Sequence, residues 1–277
     1  MTDHYFEHPS VKLHYYKFGT GNKVMLCFHG FGMHGKQFKQ LAATLGDQYT
    51  FYGFDLFFHK ETILKNNNIS YIKSGISKQE LANIFVDFCR AQTIQKFSLI
   101  SYSMGSHYAA TLVEEVPIMV EEFITAAPAT LKPGWLVTFL SRNKLGNKLL
   151  EKLALSKNGL VNLLALVKKL KIVDHKIHEI LYQEIETYQL RFNFYACFTF
   201  LKHLKLDQTK FIACLNKHQI NSIFIFGIRD HNYPPEIGSG IISEIKLAKE
   251  YILDSNHEMI NQGFAIKLKE IIHDHKK

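Results

Sequence analysis

Residues 99–109, LISYSMGSHYA, constrain the fold of this chain more than any other stretch. The apolar β-type run Lys96-Phe-Ser-Leu-Ile-Ser101 passes straight into Tyr102-Ser103-Met104-Gly105 and leaves in a helix-compatible run. Such a strand–turn–helix step lifts the central residue, Ser103, above the end of a β-sheet in a strained backbone conformation. The residues two before and two after it must then be small, because the chain nearly folds back on itself. Here they are Ser101 and Gly105.

A second apolar run, Lys23-Val-Met-Leu-Cys-Phe28, ends in His29-Gly30-Phe31-Gly32. With these two segments the chain resembles the α/β-hydrolase superfamily. In that family a strand ending in His-Gly opens a loop whose next backbone N–H helps to form an oxyanion hole, and the serine turn follows later in the chain. The resemblance implies that Ser103 is a nucleophile and that the N–H groups of Phe31 and Met104 hold the oxyanion. It also implies that His29 supports its loop rather than carrying a proton. The family's turn is usually G-x-S-x-G, so Ser101 is a departure: small, but not glycine.

The family's chain order places an acid and then a histidine after the serine. Asn221-Ser-Ile-Phe-Ile-Phe-Gly227 reads as another strand, with Asp230 three residues past it. Lys249 to Asn256 reads as the last strand, and His257 follows its exit. The chemistry needs each type. Serine is a poor nucleophile until an imidazole takes its proton, and a carboxylate then orients that imidazole and stabilises its cation. Asp254 and Asp55 are rival acids, Asp254 at the end of the last strand and Asp55 after an earlier one. Position singles out His257 among 15 histidines.

Strands are expected at about 10–18, 23–28, 50–55, 97–102, 121–127, 220–227 and 249–253, with helices between most of them. That alternation predicts an α/β fold, a mainly parallel sheet with helices on both faces. Between Pro128 and Leu206 the strand signal stops. Residues 136–173 and 175–204 instead show apolar side chains at helical spacing. In a resembling hydrolase this interval is an inserted helical cap. The expected organisation is therefore a core at 1–129, a cap at 130–206 and the rest of the core at 207–277. Trp135, Phe139 and Tyr195 from the cap, with Phe57 and Phe58 from the loop after Asp55, are candidate pocket residues. The stripe from Leu160 to Val167, followed by lysines, is a candidate membrane contact.

At 277 residues, 47% apolar and 21% charged, the chain has the composition of a globular protein with one large core. MTDHYFEHPSVK lacks an apolar signal segment, and no apolar run is long enough to insert stably in a bilayer, so a cytoplasmic location is expected. Cys27, Cys89, Cys197 and Cys214 are scattered without a C-x-x-C pair, which favours buried free thiols over a disulfide frame or a zinc site. The net charge of +8 invites a nucleic-acid reading, but the lysines are dispersed, with no dense run beyond Lys168-Lys169-Leu170-Lys171. No nucleic-acid partner is expected. The expected activity is that of a serine hydrolase, with no cofactor and no metal, acting on a small-molecule acyl substrate, an ester or thioester. The same residues would serve carbon–carbon bond hydrolysis or aminopeptidase action. The HGFG loop is also similar to that of karrikin- and strigolactone-type receptors, which bind a ligand and recruit a protein partner. Turnover separates the readings.

Overall fold

A computed structural model describes residues 2–170 and 175–275. Lys171, Ile172 and Val173, the end of the helical run expected from residue 136, lie outside them. The strands are β1 (Thr2–Glu7), β2 (Val11–Phe18), β3 (Lys23–Phe28), β4 (Tyr49–Phe54), β5 (Ile63–Leu64), β6 (Phe97–Tyr102), β7 (Val120–Ala126), β8 (Asn221–Gly227) and β9 (Ala248–Leu253). The helices are α1 (Ala42–Leu45), α2 (Ile69–Ser74), α3 (Lys78–Ala91), α4 (Ser106–Glu115), α5 (Trp135–Arg142), α6 (Lys144–Leu155), α7 (Gly159–Lys169), α8 (His175–Gln183), α9 (Tyr188–Phe200), α10 (Gln208–Lys217), α11 (Ser239–Ile242) and α12 (Gln262–His275).

The strands join in one sheet in the order β1-β2-β4-β3-β6-β7-β8-β9, with β5 beside β2. From β4 to β9 every pairing is parallel, while β1 and β4 flank β2 antiparallel. The mainly parallel α/β architecture matches the sequence expectation. β1 does not: TDHYFE carries no apolar alternation, and almost all of it is exposed. Its charged and polar side chains keep this edge strand from pairing further.

Each central strand buries both faces, which is why it reads as an unbroken apolar run. On one face Met25, Cys27, Ile100, Ile124 and Ile225 pack with Leu41, Leu45, Phe264 and Leu268, beneath α1 and α12. On the other, Phe28 and Phe54 meet Phe85 of α3 edge-on at 5.1 and 5.0 Å, and Phe123 meets Phe211 of α10 at 5.3 Å. A capping box starts α3: Ser77 Oγ accepts from the Glu80 N–H at 3.2 Å, and the Glu80 carboxylate accepts from the Ser77 N–H at 2.8 Å.

The chain divides into two compact units, one of Met1–Lys65, Ser77–Pro133 and Leu204–Lys277, the other of Asn66–Ile76 and Gly134–His203. The second unit holds α2 and α5 to α9. Asn66–Ile76, read from sequence with the core, belongs to it through local contacts: Ile76 N–H donates to the Phe200 carbonyl at 2.8 Å, Tyr71 lies 5.6 Å from the Phe200 ring, and Lys73 pairs with Glu151 at 2.8 Å. The helical run expected over 175–204 is broken between α8 and α9, where Arg191 Nη1 donates to the carbonyls of Ile185 and Glu186, both at 3.0 Å.

Candidate active site

Strand order reverses between β3 and β6. The chain leaves β3 toward β4 on one side, and leaves β6 toward β7 on the other. Such a switch point opens a crevice at the carboxyl ends of the two strands, because no connection crosses it. Phe28 and Ser101 are register partners there, so the HGFG loop and the Ser103 turn emerge side by side.

Ser103 has φ +48°, the left-handed region that a residue with a Cβ rarely adopts. The turn is held by the Ser106 hydroxyl. Ser106 Oγ donates to the Ser103 carbonyl at 2.6 Å and accepts from the Thr130 N–H at 3.0 Å. Gly105 has its own steric reason: a Cβ there would lie 2.1 Å from the Phe28 carbonyl oxygen. The nearest neighbours of that position are thus the β3 backbone, not Ser101, which corrects the expectation that residues 101 and 105 press on each other. Ser101 is instead tied to β7, its Oγ donating to Thr125 Oγ1 at 3.0 Å.

Ser103, His257 and Asp230 come together. Ser103 Oγ lies 3.2 Å from His257 Nε2, and His257 Nδ1 lies 2.8 Å from Asp230 Oδ2. The other Asp230 oxygen accepts from the N–H groups of Asn232 at 2.8 Å and Tyr233 at 3.0 Å. A carboxylate acceptor on Nδ1 makes that nitrogen the donor and leaves Nε2 a lone pair toward Ser103. The two loops that carry Asp230 and His257 are clamped together: the Arg229 N–H donates to the Ser255 carbonyl at 3.0 Å, and a Cβ on Gly227 would lie 2.5 Å from that same oxygen. The rival acids are engaged elsewhere. Asp254 is exposed and pairs with Arg229 at 2.5 Å, while buried Asp55 binds His14 Nδ1 at 2.7 Å and the Gly35 N–H at 2.8 Å.

Two tyrosines that sequence reasoning missed flank the imidazole. Tyr102 and Tyr233 have rings 5.3 and 5.4 Å from that of His257, and the Tyr102 hydroxyl donates to the His257 carbonyl at 2.6 Å. Burial first, then the Asp230 carboxylate, raise both phenols above their ordinary range, so both stay neutral. Tyr102 adjoins Ser103, but nothing in the chain links Tyr233 to the site before it folds.

Two buried histidines staple the HGFG loop. His29 Nε2 accepts from the Leu56 N–H at 3.0 Å while its Nδ1 donates to the Gly30 carbonyl at 2.6 Å. His59, also unremarked in the sequence, accepts from the Gly32 N–H at 3.0 Å and donates to the Phe57 carbonyl at 2.9 Å. Burial, with the neighbouring His59 adding, holds His29 well below its ordinary value, and burial pushes His59 down to about 4. Both rings are neutral at pH 7, which the acceptor role of each Nε2 requires. Residues flanking His59, Phe58 and Lys60, have φ of +64° and +45°, a strain that this stapled loop sustains. A Cβ on Gly30 would stand 3.4 Å from the Ser103 Cβ, so the loop lies against the serine. Phe31 follows Gly30, its ring edge-on to His59 at 5.3 Å, and Met104 is the second residue of the turn that leads into α4.

The candidate pocket residues separate. Phe57 is buried and packs 6.0 Å from the Tyr108 ring, and Phe58 is partly buried. In the helical unit Trp135 is 79% and Phe139 38% exposed, whereas Tyr195 is 0% exposed. A residue with no accessible surface lines no water-sized space, so Tyr195 is a packing residue between α6 and α9 rather than a pocket wall. Cys27, Cys89 and Cys197 are buried thiols, and Cys214 is partly so. Among the described residues no group of His, Cys, Asp or Glu is arranged to hold a metal ion.

No curated protein matches this sequence. Solved structures do match in fold. An esterase from Thermogutta terrifontis is 15% identical over 100% of both chains, with a TM-score of 0.72. A hydrolase from Pseudomonas aeruginosa is 12% identical over 99% of this chain and 97% of its own, at 0.69. A carboxylesterase of Nitrososphaera gargenis is 15% identical over 98% of each, at 0.66. At such identities the likeness carries the architecture alone. A family model for the alpha/beta hydrolase fold matches residues 23–166, just over half of the chain and the span from β3 past the serine turn into α7, and the chain belongs to that family of hydrolases.

Proposed function

We propose that the protein is a serine hydrolase that cleaves a small ester or thioester through an acyl-enzyme. The observation that carries this reading is the continuous hydrogen-bonded line from Ser103 Oγ to His257 Nε2 at 3.2 Å and from His257 Nδ1 to Asp230 Oδ2 at 2.8 Å. Ser103 Oγ attacks the acyl carbonyl while His257 Nε2 takes its proton. Asp230 orients the ring and stabilises the imidazolium. The N–H groups of Phe31 and Met104 receive the oxyanion, and His59, through Gly32, keeps the Phe31 loop in position. His257 then protonates the leaving alcohol or thiol as the tetrahedral intermediate collapses. Water, deprotonated by the same imidazole, releases the acid and restores Ser103. No step calls for a cofactor.

The test is turnover of p-nitrophenyl esters, acetate to dodecanoate, by wild type and Ser103→Ala. Sustained turnover that vanishes in the variant is expected, and the preferred chain length reports the acyl group accepted. Fluorophosphonate labelling of Ser103 without turnover would reject the esterase reading and favour the receptor, peptidase or carbon–carbon hydrolase readings. Neither labelling nor turnover would reject a nucleophilic Ser103 altogether.

A further inference from the structure

We propose that α5, α6 and α7 form a docking surface for an anionic lipid bilayer. Eight of the eighteen large apolar side chains exposed among the described residues fall between residues 134 and 170. An amphipathic surface helix shows one apolar stripe, turned inward, with polar residues outward. These helices carry a second stripe, turned to solvent. α6 buries Gly146, Leu150 and Ala154, yet Leu145 is 77% and Leu149 50% exposed. α7 buries Leu160 and Leu164, yet Leu163, Leu166 and, just past its end, Leu170 stand 42%, 50% and 60% exposed. α5 adds Trp135 at 79% and Leu136 at 50%. Exposed apolar side chains concentrated on three successive helices, α5 packed on α6 and α6 on α7, point to an interaction site rather than to scattered surface leucines.

Charge chooses the partner. Residues 134–170 contain Arg142 and six lysines against one acid, Glu151, and that acid is already engaged by Lys73 at 2.8 Å. Lys144, Lys148 and Lys152 alternate with the exposed leucines of α6, and Lys168 and Lys169 close α7. A second copy of so cationic a segment would be repelled. Anionic headgroups are attracted, while lysine stems lie along the apolar layer and their ammonium groups reach the phosphates. No described helix is long and apolar enough to cross a membrane, so the helices lie on the surface. α5 and α6 are fixed together for this: Asn143 Oδ1 caps α6 at the Leu145 and Gly146 N–H groups, 2.9 and 3.1 Å away, and a Cβ on Gly146 would lie 2.4 Å from the Phe139 carbonyl oxygen.

Trp135 is the only tryptophan of the chain, so its emission reports docking directly. The protein is titrated with vesicles of phosphatidylcholine and phosphatidylglycerol in equal parts, and with pure phosphatidylcholine, following emission and co-sedimentation. Expected are a blue shift and co-sedimentation on the anionic vesicles, roughly tenfold weaker on the neutral ones. The variant Leu145→Asp with Leu149→Asp changes only exposed side chains, so its melting temperature should hold while vesicle binding falls by about tenfold or more. Absence of binding, equal binding to both vesicles, or salt-reversible binding without a blue shift would overturn the proposal. So would a blue shift in plain buffer that tracks a dimer in sedimentation velocity. None of these readouts depends on ester turnover, so the proposal stands or falls apart from the proposed reaction.

Discussion

Ser103 holds a left-handed backbone at φ +48° while its hydroxyl reaches His257, and these two demands can be separated by substitution. Ser103→Ala and Ser103→Gly both remove the hydroxyl, and each should lower ester turnover by on the order of 10⁴-fold or more. Only glycine relieves the left-handed strain. The Gly variant should therefore be more stable than the Ala variant by about 1 kcal/mol in urea unfolding. Equal stabilities would mean that the turn is not strained. Asp230→Asn keeps the size of the side chain but presents an amide to Nδ1, which favours the wrong imidazole tautomer. Turnover is expected to fall by about 10⁴-fold with little change in melting temperature. In the sequence these residues are visible only as types at strand exits. Tyr102, Tyr233 and His59 carry no local mark at all, because a tyrosine beside a serine, or one histidine among 15, looks the same whether or not it faces a site.

The elements meet closely where β3 passes beneath the start of α4. Gly105→Ala would drive a methyl group to 2.1 Å from the Phe28 carbonyl oxygen, a backbone atom that moves only if β3 and α4 separate. A loss of roughly 3 kcal/mol or more is expected from the urea midpoint, in the range reserved for core overpacking. Ser101→Gly, by contrast, removes a buried hydrogen bond to Thr125 without any clash and should cost about 1–2 kcal/mol. If the two variants were equally harmful, the β3 contact would not be the reason for the glycine. Central strands were readable as continuous apolar runs, but β1 was not, since only pairing with β2 makes TDHYFE a strand. Likewise Asn66–Ile76 looks like any loop with a short helix until its bonds to α9 are seen.

Across the whole molecule, the buried neutral histidines make stability depend on pH. His59 is held at about 4, against an ordinary value near 6.5. As pH falls, the unfolded chain takes up this proton before the folded one. The stability that His59 confers is therefore complete above about pH 6.5 and drains away down to about pH 4, and His29 acts in the same direction. Between pH 7 and pH 4 this amounts to on the order of 3 kcal/mol from His59. A His59→Gln variant should be less stable than wild type at pH 7 but lose less on acidification, by about that amount in paired urea titrations. An unchanged pH slope would show that His59 is not held neutral in the fold.

Local order in this chain is written locally: apolar runs for buried strands, small residues for a tight turn, helical spacing for the insertion. Those signals sufficed for the α/β architecture, and only with the chain order of the family that the chain resembles did they single out Ser103, Asp230 and His257 as positions just beyond strand ends. Distance was decided by the fold, because residues 103, 230 and 257 approach only when β6, β8 and β9 lie in one parallel sheet and their exits share one edge. The same holds for acids. Asp55 and Asp254 end strands as Asp230 follows one, yet one is consumed by His14 and the other faces solvent beside Arg229. Exposure is also a tertiary property. A leucine at helical spacing reads as core in any sequence, and only packing shows that, among the described residues, Leu145, Leu149 and Leu166 are left half or more exposed.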